Sequence, residues 1–411
     1  MRILFIVPYT PNHIRVRSYN LIRHLSECGH LVTVLTLSTG PKDEEDAAAL
    51  SDYCHRVIQL PISRWRSAWN CLSVLPTGAP LQSAYSWQPA MGNDLSKLII
   101  GSNGEQPLDL VHVEHLRGVR YGLTVNKLSK STGKHLPVIW DSVDCISLLF
   151  RQAASQSRST VGRWMTRFEL SRTERYESWL TNQFSQVLVT SKADKQAFSH
   201  LNASPESQSK INVVPNGVDL NYFRPDPDAV KDQATLVVSG KMSYHANITM
   251  VLNLVQNILP LVWAQRKDVR VVIVGKDPSP AIQKLAANSS ITVTGEVQDI
   301  RPYLQQATVA VAPVSYGAGI QNKVLEAMAC ATPVITSSKA AESLQVVNGR
   351  DLLVAEEATT FAETILNLLA NPDQQHKLSA SGRDYVEAHH QWSTIVRQLE
   401  GIYQRSIQDK S

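Results

Sequence analysis

Gly317, Gly319 and Glu326 lie within ten residues of one another and could together hold a phosphorylated ligand. They fall in the stretch 308–338, TVAVAPVSYGAGIQNKVLEAMACATPVITSS, where an apolar run ends at Pro313, a glycine-bearing turn covers 316–319 and a helix is predicted over about 322–330. Glycines at 317 and 319 can take positive φ at no steric cost and let a ligand approach the main chain. Amides of the turn and of the first helical turn then converge where the helix dipole is positive, which makes an anion site with phosphate as its usual occupant. A carboxylate at Glu326, one turn into the helix, is placed to accept hydrogen bonds from the paired hydroxyls of a ribose. Phosphate and ribose together describe a nucleotide. The bland alternative is an ordinary strand-to-helix turn whose glutamate faces solvent.

Such a turn needs a sheet to carry it, and 411 residues are long for one core, so two domains are expected. Residues 2–7 form a continuous apolar run bounded by Pro8 and Pro11, the pattern of a buried parallel strand. A helix over about 16–28, ended by Gly29, and a strand over 31–37 complete a βαβ unit. The first turn has no Gly-x-Gly-x-x-Gly, which argues against a dinucleotide-binding dehydrogenase. It carries Asn12, His13, Arg15 and Arg17 instead. Further strands are read at 57–60, 109–114, 138–140, 186–190 and 211–214, then 235–239, 269–274, 291–294, around Val309 and Val311 up to Pro313, and 334–336. The last helix is read at 392–407. Residues 61–87 are read as irregular, with Arg64, Trp65, Arg66, Trp69, Leu72 and Trp87 among prolines. They suit either a membrane interface or acceptor groove, or a covering loop whose tryptophans pack on the core.

Composition narrows the class. Hydrophobic residues make up 43% of the chain and there is no low-complexity tract, as in a globular protein. A net charge of +4 is too small to imply nucleic acid and permits weak attraction to anionic lipid. Cys28, Cys54, Cys71, Cys145 and Cys330 are scattered and odd in number, which reads as reduced thiols, neither a disulfide framework nor a zinc site. The segment before Pro8 has about six apolar residues, too few for a signal-peptide core, and no later run approaches the ~20 of a membrane span. A cytoplasmic chain, at most bound to the inner face of a membrane, is expected.

The run GIQNKVLEAMACATPVITS resembles the signature of the retaining, GT-B-fold glycosyltransferases of family four. The resemblance implies an α/β, GT-B architecture: two Rossmann-like domains facing each other across a deep cleft, with a C-terminal helix crossing back. Residues 1–215 would form the acceptor-side domain, 216–390 the nucleotide-sugar domain, and 391–411 the returning helix. It also implies a donor site made of Gly317, Ala318, Gly319, Ile320, Gln321 and Asn322, with Glu326 matching the family's ribose-holding glutamate. Ala318 stands where the family has a first glutamate against the donor sugar. Lys241, in Gly-Lys-Met-Ser-Tyr-His-Ala-Asn, stands where the family has an arginine on the diphosphate, and Ala246 where it has a lysine. Lys323 is the basic residue available to compensate. Glu296 and Val297 fall where the family approaches the base. His115, after the strand at 109–114, matches a histidine that contacts the donor sugar and reaction centre, with His112 the weaker candidate. The family's glycine pair at the first turn is absent here. Asn12, Arg15 and Arg17 would supply the phosphate or acceptor side, or else face solvent at a helix start. Asp141 and Asp144 could receive an acceptor hydroxyl or cap a helix. Pro-Asn-Gly-Val-Asp at 215–219 is similar to the turn with which the family leaves its first domain. Asp226 and Asp228, between prolines, read as a turn, not a metal site.

The chemistry implied is metal-independent transfer of a sugar from a nucleoside-diphosphate sugar to a saccharide or lipid-linked hydroxyl, with no cofactor. Amides and lysines stabilise the leaving diphosphate in a water-poor cleft, and such preorganised electrostatics usually form the largest catalytic term. A nucleotide-sugar epimerase, a donor-binding partner without turnover and a surface-bound scaffold are the rival readings.

Overall fold

The computed structural model describes residues 1–12, 15–100, 107–156, 160–202, 204–315 and 320–408. The chain divides into two units, Met1–Pro215 with Trp392–Ser411, and Asn216–Gln391.

Among the described residues the first unit is built on a seven-stranded, all-parallel sheet. Its strands are β1 (Arg2–Val7), β2 (Leu31–Ser38), β3 (Arg56–Pro61), β4 (Leu110–Glu114), β5 (Val138–Val143), β6 (Gln186–Val189) and β7 (Ile211–Val213). They lie in the order β3-β2-β1-β4-β5-β6-β7. Successive strands step outward from β1 to β3, and the chain then returns to the other side of β1 with β4. Both faces of the sheet are covered, so its central strands are buried along nearly their whole length and show no alternation of buried and exposed positions. On one face Leu4, Ile6, Val111, Val113 and Trp140 are buried. On the other, Ile3, Phe5, Val7, Leu110 and Ile139 pack with Leu21, Ile22 and Leu25 of the helix Val16–Glu27. The C-terminal helix Trp392–Gln408 crosses back to this second face and buries Trp392, Ile395, Val396, Leu399, Ile402 and Tyr403 against it. That stripe follows the i, i+3, i+4, i+7 spacing of one helix face.

The second unit carries six parallel strands among its described residues: β8 (Thr235–Ser239), β9 (Arg270–Val274), β10 (Ile291–Gly295), β11 (Val309–Ala312), β12 (Val334–Thr336) and β13 (Leu353–Val354). Their order, β10-β9-β8-β11-β12-β13, again reverses at the first strand. In open parallel sheets a ligand binds at the carboxyl ends of the strands flanking such a reversal. In the two units these pairs are β1 with β4 and β8 with β11.

Two sequence expectations are corrected. Residues 61–87 are helical at Arg64–Val74 and Leu81–Tyr85, not irregular. The Ser63 hydroxyl accepts the Arg66 amide and caps the first helix, while the prolines lie outside the helix interiors. Residues 245–265 are long and apolar enough to cross a membrane, contrary to the count of apolar runs. Their place in the fold is the core of the second unit, where Met250, Val251, Leu254, Ile258, Leu259 and Val262 are buried, with a widened turn at Leu254–Ile258 just before Pro260.

Candidate functional site

In the second unit, β8 ends at Gly240-Lys241 and β11 leads to the helix Asn322–Ala329, so both sides of the reversal carry candidate residues. Gly240 has φ +142 and Gly275, after β9, has φ +151. A Cβ on Gly275 would lie 1.7 Å from the Gly240 carbonyl oxygen, so the two strand exits touch main chain to main chain. A Cβ on Gly240 would in turn stand 3.4 Å from Lys323 Cε. The stem of Lys323 thus lies against the β8 exit at Gly240.

Tyr316, Gly317, Ala318 and Gly319 lie outside the described residues. Ile320, next in the chain, is buried in the core of the second unit. Gln321 bounds the helix without a capping bond from its side chain; its Oε1 accepts Lys323 Nζ at 2.9 Å. Asn322 Oδ1 accepts Asn216 Nδ2 at 3.3 Å. Lys323 and Glu326 are partly buried, three residues apart and on one helix face. Burial pushes the Glu326 carboxyl up to about 7 against the pull of Lys323. Burial likewise lowers the Lys323 ammonium to about 8, with Glu326 opposing. The site therefore pairs an acceptor and a cation whose charges are both expensive in the empty protein. Lys241 is half-exposed, 3.9 Å from Asp277. Glu296 is largely exposed, 4.0 Å from Lys276. Ala246 is buried in the helix His245–Asn253 and supplies no cation.

In the first unit, His115 follows β4 with φ +63. A left-handed residue at the end of a central strand is uncommon, and histidine tolerates it better than most. Burial, and then the charge of Arg117, lower the imidazole to about 4, so the ring is neutral at pH 7. The Arg117 amide donates to His115 Nδ1 at 3.3 Å, which leaves the proton on Nε2 as a donor.

The first-turn residues are more committed than sequence indicated. Arg17 and Asp141 do not offer their charges to a ligand. They pair with each other in the interior, Nε to Oδ2 at 2.8 Å, and Arg17 also donates to the carbonyls of Val214 and Pro215. Burial alone would raise the Asp141 carboxyl, but Arg17 and His112 hold it below its ordinary value. Asp141 thus neither caps a helix nor opens to an acceptor. Its Oδ1 accepts the amide of Val143, itself at φ +68. Arg15 donates to the Thr10 carbonyl, lies over the Tyr9 ring and approaches Asp43, while Asn12 donates to Asp46 at 2.6 Å. His13 lies outside the described residues. His112 is buried, stacked on Phe5 and bonded to the Tyr403 hydroxyl at 2.7 Å, a structural place. Asp226 Oδ1 accepts the Asp228 amide, an Asx turn.

Sequence reasoning missed Glu114 and Tyr9, which hydrogen-bond to each other beside His115. Burial, then Asp141, push Glu114 up to about 7. It also missed His390, whose Nδ1 donates to the Asn216 carbonyl at 2.7 Å and whose Nε2 meets the Tyr385 hydroxyl at 3.0 Å. Through Asn216 this chain of bonds reaches Asn322 at the head of the candidate helix. Neither set has a local sequence signal, because Tyr9 and Glu114, and His390 and Asn216, are distant in the chain.

Two parallel α/β units of this topology define the GT-B fold, and solved structures of that class superpose on the whole chain. HepE of Anabaena, solved with UDP and glucose, matches with TM-score 0.68 at 14% identity over 98% of each chain. The sucrose-phosphate synthase of Thermosynechococcus elongatus matches with TM-score 0.66 at 19% identity, again over 98% of each. The chain belongs to glycosyltransferase family 4: the model described as "Glycosyltransferase Family 4" matches residues 14–222, more than half of the chain, and "Glycosyl transferases group 1" matches 233–371. The α-maltose-1-phosphate synthase of Mycolicibacterium smegmatis is 29% identical over 223 residues, 48% of this chain and 57% of that protein. A GDP-mannose-dependent monoacylated α-(1-6)-phosphatidylinositol monomannoside mannosyltransferase of Corynebacterium glutamicum is 29% identical over 221 residues, with the same shares. The chain thus spans little more than half the length of these curated relatives.

Proposed function

We propose that this chain transfers a sugar from a nucleoside-diphosphate sugar to a hydroxyl acceptor, with retention at the anomeric carbon and without a metal. The observation that carries the reading is Lys323 lying against the Gly240 exit of β8, with Glu326 beside it on the same helix face, at the reversal between β8 and β11. Lys323 and Lys241, with the amides of 317–322, would hold the diphosphate and stabilise it as the anomeric bond breaks. Glu326 would hold the ribose and Glu296 approach the base. His115 would donate its Nε2 proton in a hydrogen bond to the transferred sugar. The acceptor hydroxyl would attack on the face that the diphosphate leaves and pass its proton to that diphosphate, so no protein nucleophile is required. Relatives support the donor class, since HepE was solved with UDP and glucose and the Corynebacterium relative is GDP-mannose-dependent. The acceptor is proposed to be a saccharide or lipid-linked intermediate of the cell envelope or an exported polysaccharide, met at the cytoplasmic membrane face.

A second reading is a partner that binds donor without turning it over. Ala318, where the family has a glutamate, and the buried Ala246 favour it. Release of nucleoside diphosphate from UDP-, GDP- and ADP-sugars, with EDTA present, separates the two. Release faster than that by a Lys323→Ala variant supports the enzyme. Donor-induced thermal stabilisation with no release supports the binder.

A further inference from the structure

The helix Arg64–Val74 is amphipathic with its polarity inverted. Its inward face carries the buried Ser67, Asn70 and Val74. Outward, at i, i+4 and i+7, stand Trp65 (87% exposed), Trp69 (66%) and Leu72 (58%), followed by Leu75 (44%). Packing alone gives no reason to hide an asparagine and display two tryptophans. The helix is nevertheless firmly seated. Asn70 Nδ2 donates to the Trp87 carbonyl at 2.7 Å, and Arg172 donates to the carbonyls of Val74, Thr77 and Ala79. Arg172 also lies over the ring of Phe168, which is 42% exposed. Trp87, by contrast, is packed, stacked on Tyr121 with ring centroids 5.0 Å apart. So rigid a display of contiguous large apolar side chains marks an interaction surface.

Charge selects the partner. Residues 53–93 contain no aspartate or glutamate, while Arg56, Arg64 and Arg66 are basic, and Arg64 and Arg66 are exposed beside the tryptophans. Indole rings settle at the level of lipid head groups, and arginines near an anionic surface are attracted to it. We propose that the Trp65-Trp69-Leu72-Leu75 face docks the chain on an anionic lipid bilayer, with the rings at head-group depth and Arg64 and Arg66 against lipid phosphates. This deepens the membrane-face reading above and takes its acceptor setting from it. The docking itself needs no sugar donor, so failure of one leaves the other standing.

The test is co-sedimentation of the full chain, without nucleotide, with vesicles of phosphatidylcholine alone or mixed with phosphatidylglycerol. The wild type should pellet with the anionic vesicles. Trp65→Ser with Trp69→Ser should lower the partition coefficient by about tenfold or more with an unchanged melting curve, because both side chains are already in water. Arg64→Gln with Arg66→Gln should weaken pelleting on the anionic vesicles alone. A wild type that stays in the supernatant overturns the proposal, as does a tryptophan variant that pellets equally. Light scattering that shows the same tryptophans holding a dimer in solution also overturns it, in favour of a second copy as the occupant.

Discussion

Nucleoside diphosphate affinity should pass through a maximum near pH 7.5, because the two buried charges that would hold the ligand titrate on either side of it. Ribose hydroxyls donate to the ionised form of Glu326, whose carboxyl is raised by burial to about 7. The diphosphate is held by the protonated form of Lys323, whose ammonium is lowered to about 8. Affinity falls as pH drops through the first value and as it rises through the second. With independent sites, binding at pH 6 or pH 9 is about sixfold weaker than at pH 7.5, or about 1.1 kcal/mol on each limb. Folding stability bears the complementary sign. The raised Glu326 contributes stability that is present below its unfolded value and lost as pH rises through about 7. The depressed Lys323 contributes stability that is present above its unfolded value and lost as pH falls through about 8. Near neutrality the empty protein therefore carries both ions at a cost, which a bound diphosphate and ribose offset. The assay is titration calorimetry with UDP, GDP or ADP at constant ionic strength. A phosphate of the ligand also titrates near pH 6, so each limb is read against a variant. Glu326→Gln should lose the protein's share of the acid limb, and Lys323→Met the alkaline limb. A flat wild-type profile, or limbs that survive both substitutions, would refute the reasoning.

Two further outcomes concern the frame around the sites. Arg17→Met leaves the buried Asp141 without its guanidinium partner, with His112 and the Val143 amide still beside it, and should cost about 3–5 kcal/mol in urea unfolding. A loss under about 1 kcal/mol would mean the pair is dispensable. Gly275→Ala forces a Cβ into the Gly240 carbonyl at φ +151 and should cost more than about 3 kcal/mol, with nucleotide binding impaired. A soluble variant with the wild-type unfolding midpoint would count against that close approach.

The sheets were legible because a parallel strand covered on both faces must be apolar along its length, as residues 2–7 and 309–312 are. The helix at 322 was legible for a related reason: Lys323 and Glu326 share a face at helical spacing, and glycines precede them. What escaped was long-range pairing. Nothing near Arg17 announces Asp141, 124 residues away, so an arginine at a helix start read as a ligand or as solvent-facing when it is an interior ion pair. Tyr9 and Glu114, 105 residues apart, failed for the same reason. Residues 61–87 misled differently. Their prolines suggested disruption but stand outside the helices, and Trp65 and Trp69 face solvent where burial of large rings is the general rule.

The most direct measurement is the dissociation constant of nucleoside diphosphate for the wild type and for Glu326→Ala at pH 7.5. Removal of hydrogen bonds to a charged group should weaken binding by about 1.5–3 kcal/mol, on the order of ten- to a hundredfold. A change of less than about twofold, with the variant folded, would contradict a ribose held by Glu326 and with it the nucleotide site at the head of the helix Asn322–Ala329.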